Sequence, residues 1–237
     1  MEKKLSVRLS AIAAHIPAGS RVADIGTDHG LLPVNLVRSG LAAHVIATDL
    51  RADPLAKARR AVREAGLEDQ IELRLGSGLS VIVPGEADCI VVAGMGGETI
   101  ANLLADAPWC RETGCLLLLQ PMTKAEQLRR TLARLGLAVE AESLVRENGT
   151  VYCVLAARGT DAPCALSPAE QYLSRPLLDS DDPLMPEYLD RQIRRLEKAL
   201  EGARRSGKAC DIPRVREFEE DLSALRRERE LLNHDRT

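Results

Sequence analysis

Along the first part of the chain, apolar residues at helical spacing alternate with short continuous apolar runs. One face of a predicted first helix carries Leu5, Leu9, Ile12 and Ile16. Short apolar runs then predict five strands, at 21–25, 44–48, 71–75, 88–93 and 115–119. Several of the amphipathic stretches between them end, as helices often do, at a glycine: Gly40, Gly66 or Gly136. Strands that alternate with helices of about 10 to 15 residues predict a parallel sheet covered by helices on both faces.

The pattern changes after residue 136. Two strand-like stretches, 137–146 and 150–158, flank Asn148-Gly149, a dipeptide that favours a two-residue hairpin turn. By analogy, a parallel sheet closed by an antiparallel hairpin is the arrangement of the class I methyltransferases. The predicted fold class is therefore α/β: a Rossmann-like class I methyltransferase sheet, mostly parallel, with an antiparallel C-terminal hairpin.

Two further amphipathic stretches follow a connector. Residues 161–186 are rich in Asp, Pro and Ser and predict a linking segment with one short helix. Beyond them two apolar seams advance in steps of three and four residues: Leu189, Ile193, Leu196, Leu200 and Ala203, then Val215, Phe218, Leu222 and Leu225. Such seams predict a small antiparallel helical hairpin of coiled-coil type, paired within one chain, so we expect a monomer. The expected organisation is a main domain over 1–160, the connector over 161–186 and the helical hairpin over 187–237.

Composition and charge exclude several classes of protein. No apolar run approaches the ~20 residues of a membrane span, and no secretory leader opens the chain, so we expect a cytoplasmic protein without membrane contact. One Trp, three Tyr and one Phe among 237 residues disfavour a platform that stacks several bases. The net charge of −3 excludes an indiscriminate polyanion binder but permits a local basic patch. The six cysteines and four histidines show no metal-ligand spacing, so we expect no metal site.

The first strand runs into a glycine-containing segment at 24–30, Asp-Ile-Gly-Thr-Asp-His-Gly. A dinucleotide fingerprint would need glycine at 28 and 31, where this chain has Asp28 and Leu31. A carboxylate there would repel a pyrophosphate but suits a ligand with an ammonium or sulfonium group, and S-adenosylmethionine has both. The candidate cofactor residues are Asp24, Gly26, Asp28, His29 and Gly30. The structural alternative is a tight turn capped by Asp28.

Two further strand ends offer contacts to an adenosine. Asp49 ends the second strand, beside Leu50, and can accept hydrogen bonds from both ribose hydroxyls; alternatively, it caps the following helix. After the third strand, the small residues Gly76, Ser77 and Gly78 would admit an adenine ring, although a simple turn explains them equally well.

The fourth strand continues into Ala-Gly-Met-Gly-Gly at 93–97, where main chain lies open to a ligand. We assign Ala93, Gly94 and Met95 to the cofactor, and Gly96 and Gly97 to the substrate. The [DN]-P-P-[YF] sequence of exocyclic-amine methyltransferases is absent here, so a ring nitrogen is the better target on a base. Gln120 and Pro121, taken as the end of the fifth strand, are also assigned to the substrate, because an amide can read a base edge. Alternatively, the glycines at 93–97 only aid helix packing, and Gln120 and Pro121 form a plain strand-end turn.

Basic residues concentrate in three helical stretches. Residues 191–208 hold seven Lys or Arg against two Glu, and the stretches 57–63 and 124–134 are basic too. Such helices can bind phosphates, although charged runs on helices are usually solvated faces. The substrate-binding candidates on the first of these stretches are Arg191, Arg194, Arg195 and Lys198.

Together these motifs resemble the bacterial tRNA adenine-22 N1-methyltransferase family (TrmK), class I enzymes that use S-adenosylmethionine. The matching segments cover nearly the whole chain: Leu-Ser-x-Arg-Leu at 5–9, Ala-Asp-Ile-Gly-Thr-Asp-His at 23–29, Ala-Gly-Met-Gly-Gly at 93–97, Leu-Gln-Pro at 119–121, and Glu-Asn-Gly at 147–149 with Tyr152. Some relatives carry an aromatic residue at Leu31, an acidic one at Ser77 and Asn at Met122.

The resemblance implies a reaction as well as a fold. The product would be N1-methyladenosine in the D-arm region of tRNA, with the target nucleotide unpaired or turned outward. Asp28 is the candidate catalytic residue, because a carboxylate would stabilise the cationic product ring; contact with the methionine part of the cofactor is its competing role. The helical hairpin would hold the tRNA body.

Three other functions stay open on the residues alone. A methyltransferase of a small molecule or protein would not need the basic hairpin. A nicotinamide-dependent oxidoreductase is disfavoured by Asp28 and Leu31. A non-catalytic RNA-binding protein with a degenerate pocket is disfavoured by the intact Asp24, Gly26 and Asp49.

Overall fold

The computed structural model describes residues 4–161, 165–206 and 212–234. Its seven strands form one sheet in the order β3-β2-β1-β4-β5-β7-β6, parallel except for the antiparallel pairs that β7 makes with β5 and β6. The strands are β1 (Ser20–Ile25), β2 (Ala42–Asp49), β3 (Ile71–Leu75), β4 (Cys89–Gly96), β5 (Leu116–Thr123), β6 (Leu137–Glu147) and β7 (Thr150–Gly159). The helices are α1 (Val7–Ala13), α2 (Leu31–Arg38), α3 (Ala52–Ala65), α4 (Gly97–Ala105), α5 (Trp109–Glu112), α6 (Ala125–Arg134), α7 (Arg175–Leu178), α8 (Met185–Ser206) and α9 (Ile212–His234).

The predicted fold class is confirmed, and the structure corrects two strand ends. β4 was expected to end at residue 93 and β5 at 120–121, but they pair as far as Gly96 and Thr123. The ladder contains irregularities after Ala93, which explain why an alternating pattern was not visible there. Pairing of β5 with β7 stops at Leu119, so Pro121, which has no N–H to donate, lies where only β4 is a neighbour.

Helices cover the two faces of the sheet and form two buried clusters. On one face, Ile12 of α1, Leu36 of α2 and Val62 of α3 pack against β1, β2, β4 and β5. On the other face, the cluster contains buried residues from the sheet, α4, α6, the connector, α8 and α9. The connector contributes Tyr172 and Leu177 to it, both buried. The helical hairpin therefore shares its apolar seam with the face of the sheet.

The two C-terminal helices lie antiparallel, as the seams predicted. Cross-helix ion pairs join Arg204 to Glu219, Arg226 to Glu197 and Arg229 to Asp190. The Tyr172 hydroxyl donates a hydrogen bond to Asp221 Oδ2 at 2.7 Å, which fixes α9 to the connector. Most of the predicted turn between the helices, 207–211, lies outside the described residues.

One arginine of the basic stretch 124–134 is not on a solvated face. Arg129 of α6 is 2% exposed and pairs with Glu142 of β6, which is fully buried. Glu142 Oε2 also accepts from the backbone N–H of Ser174, at 3.0 Å. The pair therefore ties α6, β6 and the connector together, and Arg129 is not available to a phosphate.

Candidate active site

The strand ends singled out in the sequence meet at one edge of the sheet, called here the carboxyl edge. It carries the loop at 26–30 after β1, Asp49 and Leu50 after β2, residues 76–78 after β3, and the end of β4. The strand order reverses between β1 and β4, and such a switch point opens a crevice at the carboxyl ends of the strands. The predicted cofactor residues therefore surround one crevice.

The loop at 26–30 has a backbone that only certain residues adopt easily. Gly26, Asp28 and Gly30 all have positive φ, of 79°, 53° and 69°. The N–H groups of Gly26 and Thr27 donate to the Thr48 carbonyl at 2.9 and 2.8 Å, which holds the loop against the end of β2. Asp28 is the one non-glycine of the three, so its left-handed backbone is a local strain that these contacts maintain.

Two buried carboxylates flank that loop. Asp24 is buried at the end of β1, and burial, reinforced by the charge of Asp49, raises its pKa to about 6. Asp49 is also buried, and its Oδ2 accepts from the Asp28 N–H at 3.2 Å. Its Oδ1 accepts from the Arg51 N–H at 2.9 Å, although Arg51 itself occupies the N-cap position of α3. Asp49 thus braces the loop and retains lone pairs for a ligand.

Asp28 and His29 point their side chains outward. The Asp28 carboxylate is 62% exposed and the His29 ring 52% exposed, with 3.3 Å between Asp28 Oδ2 and His29 Nε2. The predicted catalytic carboxylate therefore borders the crevice where an incoming substrate could reach it.

Two exposed leucines stand at adjacent strand ends. Leu50 is 69% exposed and Leu75 is 57% exposed, and Leu75 pairs in register with Asp49. Leu50 was predicted as a cofactor contact. Leu75 was missed, although its place as the last strand residue before Gly76 could have indicated it.

The segment at 76–78 is a turn packed against its neighbours. A side chain at Gly76 would collide with Val81, and one at Gly78 with Leu103 of α4. The Gly76 N–H donates to the Asp49 carbonyl at 3.0 Å, and the Ser77 carbonyl accepts from Ser80. These contacts explain the small residues, and their predicted role against adenine stays a prediction.

Residues 93–97, called here the fourth-strand rim, face the loop at 26–30. Gly94 has a φ of 75° with open space where a side chain would be. A Cβ on Gly26 would lie 2.4 Å from the methyl group of Met95, so the rim touches the cofactor loop directly. Gly97 is different: a Cβ there would meet backbone oxygens of Thr123 and Lys124, so this glycine serves the packing of α4. Gly96 is the N-cap of α4.

Gln120 lies inside the protein. The side chain is fully buried: its Oε1 accepts from Arg8 at 2.8 Å and from the Gly94 N–H at 3.2 Å, and its Nε2 donates to the Pro121 carbonyl at 3.0 Å. No edge of this amide is free for a base. The arrangement therefore favours a role in holding the fourth-strand rim, and not the predicted contact with a base. Sequence reasoning missed Arg8 itself, although it stands in the Leu-Ser-x-Arg-Leu segment.

The four basic candidates of α8 divide into two kinds. Arg191 donates to the Val151 carbonyl at 3.0 Å, and Arg195 pairs with Glu126 of α6. Arg194 and Lys198 are exposed and have no ion-pair or hydrogen-bond partner within the described part of the chain. Only these two are free to meet an anionic substrate without breaking an existing contact.

Two other kinds of site are absent from the described ranges. Within 4–161, 165–206 and 212–234, no helix combines the length and apolar character needed to cross a membrane. Over the same residues no group of three or more His, Cys, Asp or Glu side chains could hold a metal ion.

Comparison with known proteins places this geometry among methyltransferases. Residues 5–155 match the family described as Methyltransferase domain. Over 165 residues, 69% of each chain, the protein is 41% identical to the tRNA (adenine(22)-N(1))-methyltransferase of Bacillus subtilis. The crystal structure of the B. subtilis m1A22 tRNA methyltransferase TrmK is similar with a TM-score of 0.84 and 29% identity, covering 95% of this chain and 99% of that one. Streptococcus pneumoniae Sp1610 in complex with S-adenosyl-L-methionine gives a TM-score of 0.77 and 28% identity, covering 92% and 100%.

Proposed function

The chain belongs to the tRNA (adenine(22)-N(1))-methyltransferase family, and we propose that it transfers a methyl group from S-adenosylmethionine to N1 of adenine 22 in tRNA. The observation that carries this proposal is the convergence of Asp24, Asp49 and the fourth-strand rim on one crevice. The proposal includes a target in the D-arm region, action as a monomer and a cytoplasmic location. The nicotinamide alternative finds no support in this crevice, since Asp28 occupies the position where a pyrophosphate would need glycine.

The residues of the crevice fit S-adenosylmethionine. Buried Asp24 offers a negative charge to a cationic group, and Asp49 has acceptor capacity for ribose hydroxyls. The exposed surfaces of Leu50 and Leu75 flank the place where an adenine ring would follow the ribose. The Met95 methyl group occupies the space beside Gly26, so a side chain at Gly26 would displace it.

The reaction needs alignment more than proton transfer. When bound, the cofactor supplies an electrophilic methyl group on its sulfonium. N1 of adenine carries a free lone pair, so no protein base has to generate the nucleophile, and the task of the crevice is to hold N1 in line with that methyl group. The adenine ring becomes cationic as the bond forms, and the exposed Asp28 carboxylate would stabilise that charge.

Helix α8 carries the cations that would hold the tRNA. Arg191, Arg194, Arg195 and Lys198 follow at helical steps of three and four residues, so they form one stripe. Arg191 reaches Val151 near the start of β7, and Arg195 reaches Glu126 in the first turn of α6. Because β7 runs antiparallel to β5, both anchor points lie at the carboxyl edge. The stripe therefore begins at the carboxyl edge, where phosphates next to an extruded adenine would lie.

The proposal is tested with purified protein, labelled S-adenosylmethionine and an unmodified tRNA transcript. Primer extension should acquire a stop at adenine 22, because N1 methylation blocks base pairing. A transcript with guanine at 22 is the control and should accept no label. Binding of the cofactor without transfer to any tRNA would contradict the tRNA assignment and favour another substrate, and absence of cofactor binding would contradict the methyltransferase assignment.

Asp28→Asn tests the proposed charge stabilisation. It removes the carboxylate charge while keeping a residue that tolerates positive φ. We expect kcat to fall by about 10- to 100-fold, with the cofactor Kd changed less than about threefold. An enclosed electrostatic contact to the transition state is worth about 10²–10³-fold, and the exposure of Asp28 reduces it. A matching loss of cofactor affinity would instead assign Asp28 to the methionine part of the ligand.

A further inference from the structure

Arg8, in the first turn of α1, connects four elements at the carboxyl edge. Its Nε donates to Glu147 at the end of β6, and its backbone N–H donates to the same carboxylate at 3.2 Å. Its Nη1 donates to Gln120 Oε1 in β5, and its guanidinium carbon lies 5.2 Å from the centre of the Tyr152 ring in β7. With only 21% of the side chain exposed, the guanidinium is held in one orientation by these contacts.

Arg8 determines which way the Gln120 amide faces. An amide has an acceptor end and a donor end, and a guanidinium can only donate. The oxygen of Gln120 must therefore face Arg8, and the same oxygen then accepts from the Gly94 N–H at 3.2 Å. If the amide turned over, its NH₂ group would face two donors, the Gly94 N–H and Arg8. Without Arg8, one of the two bonds that hold the oxygen in place is lost.

From Gly94 the contact continues to the cofactor loop. Gly94 has a φ of 75°, and its N–H bonds to the Gln120 oxygen. The next residue, Met95, places its methyl group against Gly26. A continuous series of contacts thus runs from α1 through Gln120 and the fourth-strand rim to the loop that carries Asp28.

We propose that Arg8 is a positioning residue for methyl transfer. By fixing the Gln120 amide, it sets the distance between the fourth-strand rim and the cofactor loop, the two segments between which the methyl group would pass. This rests on the function proposed above. The competing role is purely structural, with Arg8 anchoring α1 to the hairpin of β6 and β7 through Glu147.

The test combines kinetics with a double-mutant cycle. For Arg8→Ala and for Gln120→Leu we expect kcat to fall by at least about tenfold at nearly unchanged KM for tRNA, because sub-ångström misplacement of reacting groups is costly. The double variant should lose no more than the worse single variant, since both remove the same interaction. Additive losses would overturn the proposal. Arg8→Lys, which keeps a cation but lacks the planar fork, should lie between wild type and Arg8→Ala.

Two further variants separate positioning from anchoring. Glu147→Gln weakens the anchor of α1 but leaves the Arg8–Gln120 contact, so kcat should change less than about threefold; a loss equal to that of Arg8→Ala would overturn the proposal. Arg21→Ala is the matched control, since Arg21 makes a similar two-point contact with Asp88 at the opposite edge of the sheet. It should leave kcat unchanged.

A measurement that does not depend on catalytic turnover separates this inference from the proposed function. With ¹³C-methyl methionine, the Met95 signal should shift in Arg8→Ala and in Gln120→Leu, with or without cofactor, and stay in place in Arg21→Ala. The Met122 signal is not informative, because the Met122 sulfur itself accepts from Arg8 at 3.1 Å. An unmoved Met95 signal would overturn the coupling even in an active enzyme. A moved signal in a protein that methylates no tRNA would support the coupling while contradicting the function.

Discussion

At the scale of single residues, Asp24 is a carboxyl group at the carboxyl edge whose pKa the fold raises. Burial and the neighbouring charge of Asp49 raise its pKa to about 6, so in the free protein it takes up a proton as the pH falls below that value. A cationic ligand group prefers the ionised carboxylate, so binding and protonation of Asp24 oppose each other.

Cofactor affinity should therefore fall as the pH drops through about 6. Below the pKa of the free protein, we expect Kd for S-adenosylmethionine to rise by up to about tenfold per pH unit, the limit for competition with one proton. Calorimetric titrations between pH 5 and 8 measure this. Asp24→Asn should bind more weakly at pH 8 and lose most of the pH dependence. A wild-type Kd that is constant across this range would contradict the assignment of Asp24 to a cationic group.

Ionisation of Asp24 should favour cofactor binding but lower the stability of the folded protein. Because folding raises the pKa of Asp24 above its ordinary value of 3.8, its ionisation favours the unfolded chain, and the stability that it contributes is lost as the pH rises from about 4 to 6. Asp24→Asn should consequently raise the melting temperature at pH 8 while weakening cofactor binding. Asp69→Asn, at an exposed turn before β3, is the control and should change neither.

Sequence reasoning identified the acids and glycines of the crevice because their positions follow from local rules. Each stands at the carboxyl end of a predicted parallel strand, and such ends meet at one edge. Arg8 and Gln120 illustrate what those rules omit. They are separated by 112 positions, and only the packing of α1 on the sheet brings them within hydrogen-bond distance. The amide that looked like a base-reading group is thus an internal contact.

At the scale of secondary-structure elements, the helix and strand pattern predicted the sheet and the helical hairpin. The charges of α6, however, suggested a basic face that Arg129 does not join. An amphipathic helix with several arginines normally has all of them in solvent. In α6, however, Arg129 faces Glu142 of β6, and both are buried under the connector. Arg129 lies three and four residues before the buried Leu132 and Ala133, whereas Arg134 is exposed, but the partner that permits its burial is supplied by another element.

Removing one member of this buried pair should be costly. Arg129→Met leaves the Glu142 charge buried without its partner, so we expect a loss of about 3–5 kcal/mol in the free energy of unfolding. Denaturant titrations measure it. Arg175→Ala is the matched control: Arg175 pairs with Asp179 in solvent, with 70% and 56% of the two side chains exposed, so its loss should change the free energy of unfolding far less. Equal losses in the two variants would contradict the role of burial.

At the scale of the whole molecule, helices from both faces of the sheet reach the carboxyl edge. From one face α1 contacts it through Arg8, and from the other α8 contacts it through Arg191. Arg194 and Lys198, the α8 cations without a partner in the described chain, follow Arg191 by about one and two helical turns. Because these contacts lie at the carboxyl edge, we expect a polyanion to be held there, beside the crevice, and not at the opposite edge.

Neutralising those two cations should weaken tRNA binding. For Arg194→Ala/Lys198→Ala we expect Kd to rise by about tenfold at moderate salt, and the slope of log Kd against log salt concentration to fall by about 1.4 to 1.8, since each phosphate contact contributes roughly 0.7–0.9. Cofactor affinity should not change, because neither residue reaches the crevice loops in the described contacts.

The control removes the same charge from the other end of the molecule. Arg38 and Arg63 are exposed, lie in the last turns of α2 and α3, and have no ion-pair partner among the described residues. Arg38→Ala/Arg63→Ala lowers the net charge by the same two units as the α8 variant, so a general electrostatic attraction would weaken tRNA binding equally in both. A specific interface at the carboxyl edge requires the α8 variant alone to lose affinity and salt slope. Equal losses would mean that tRNA is attracted by overall charge and that α8 is not its binding surface.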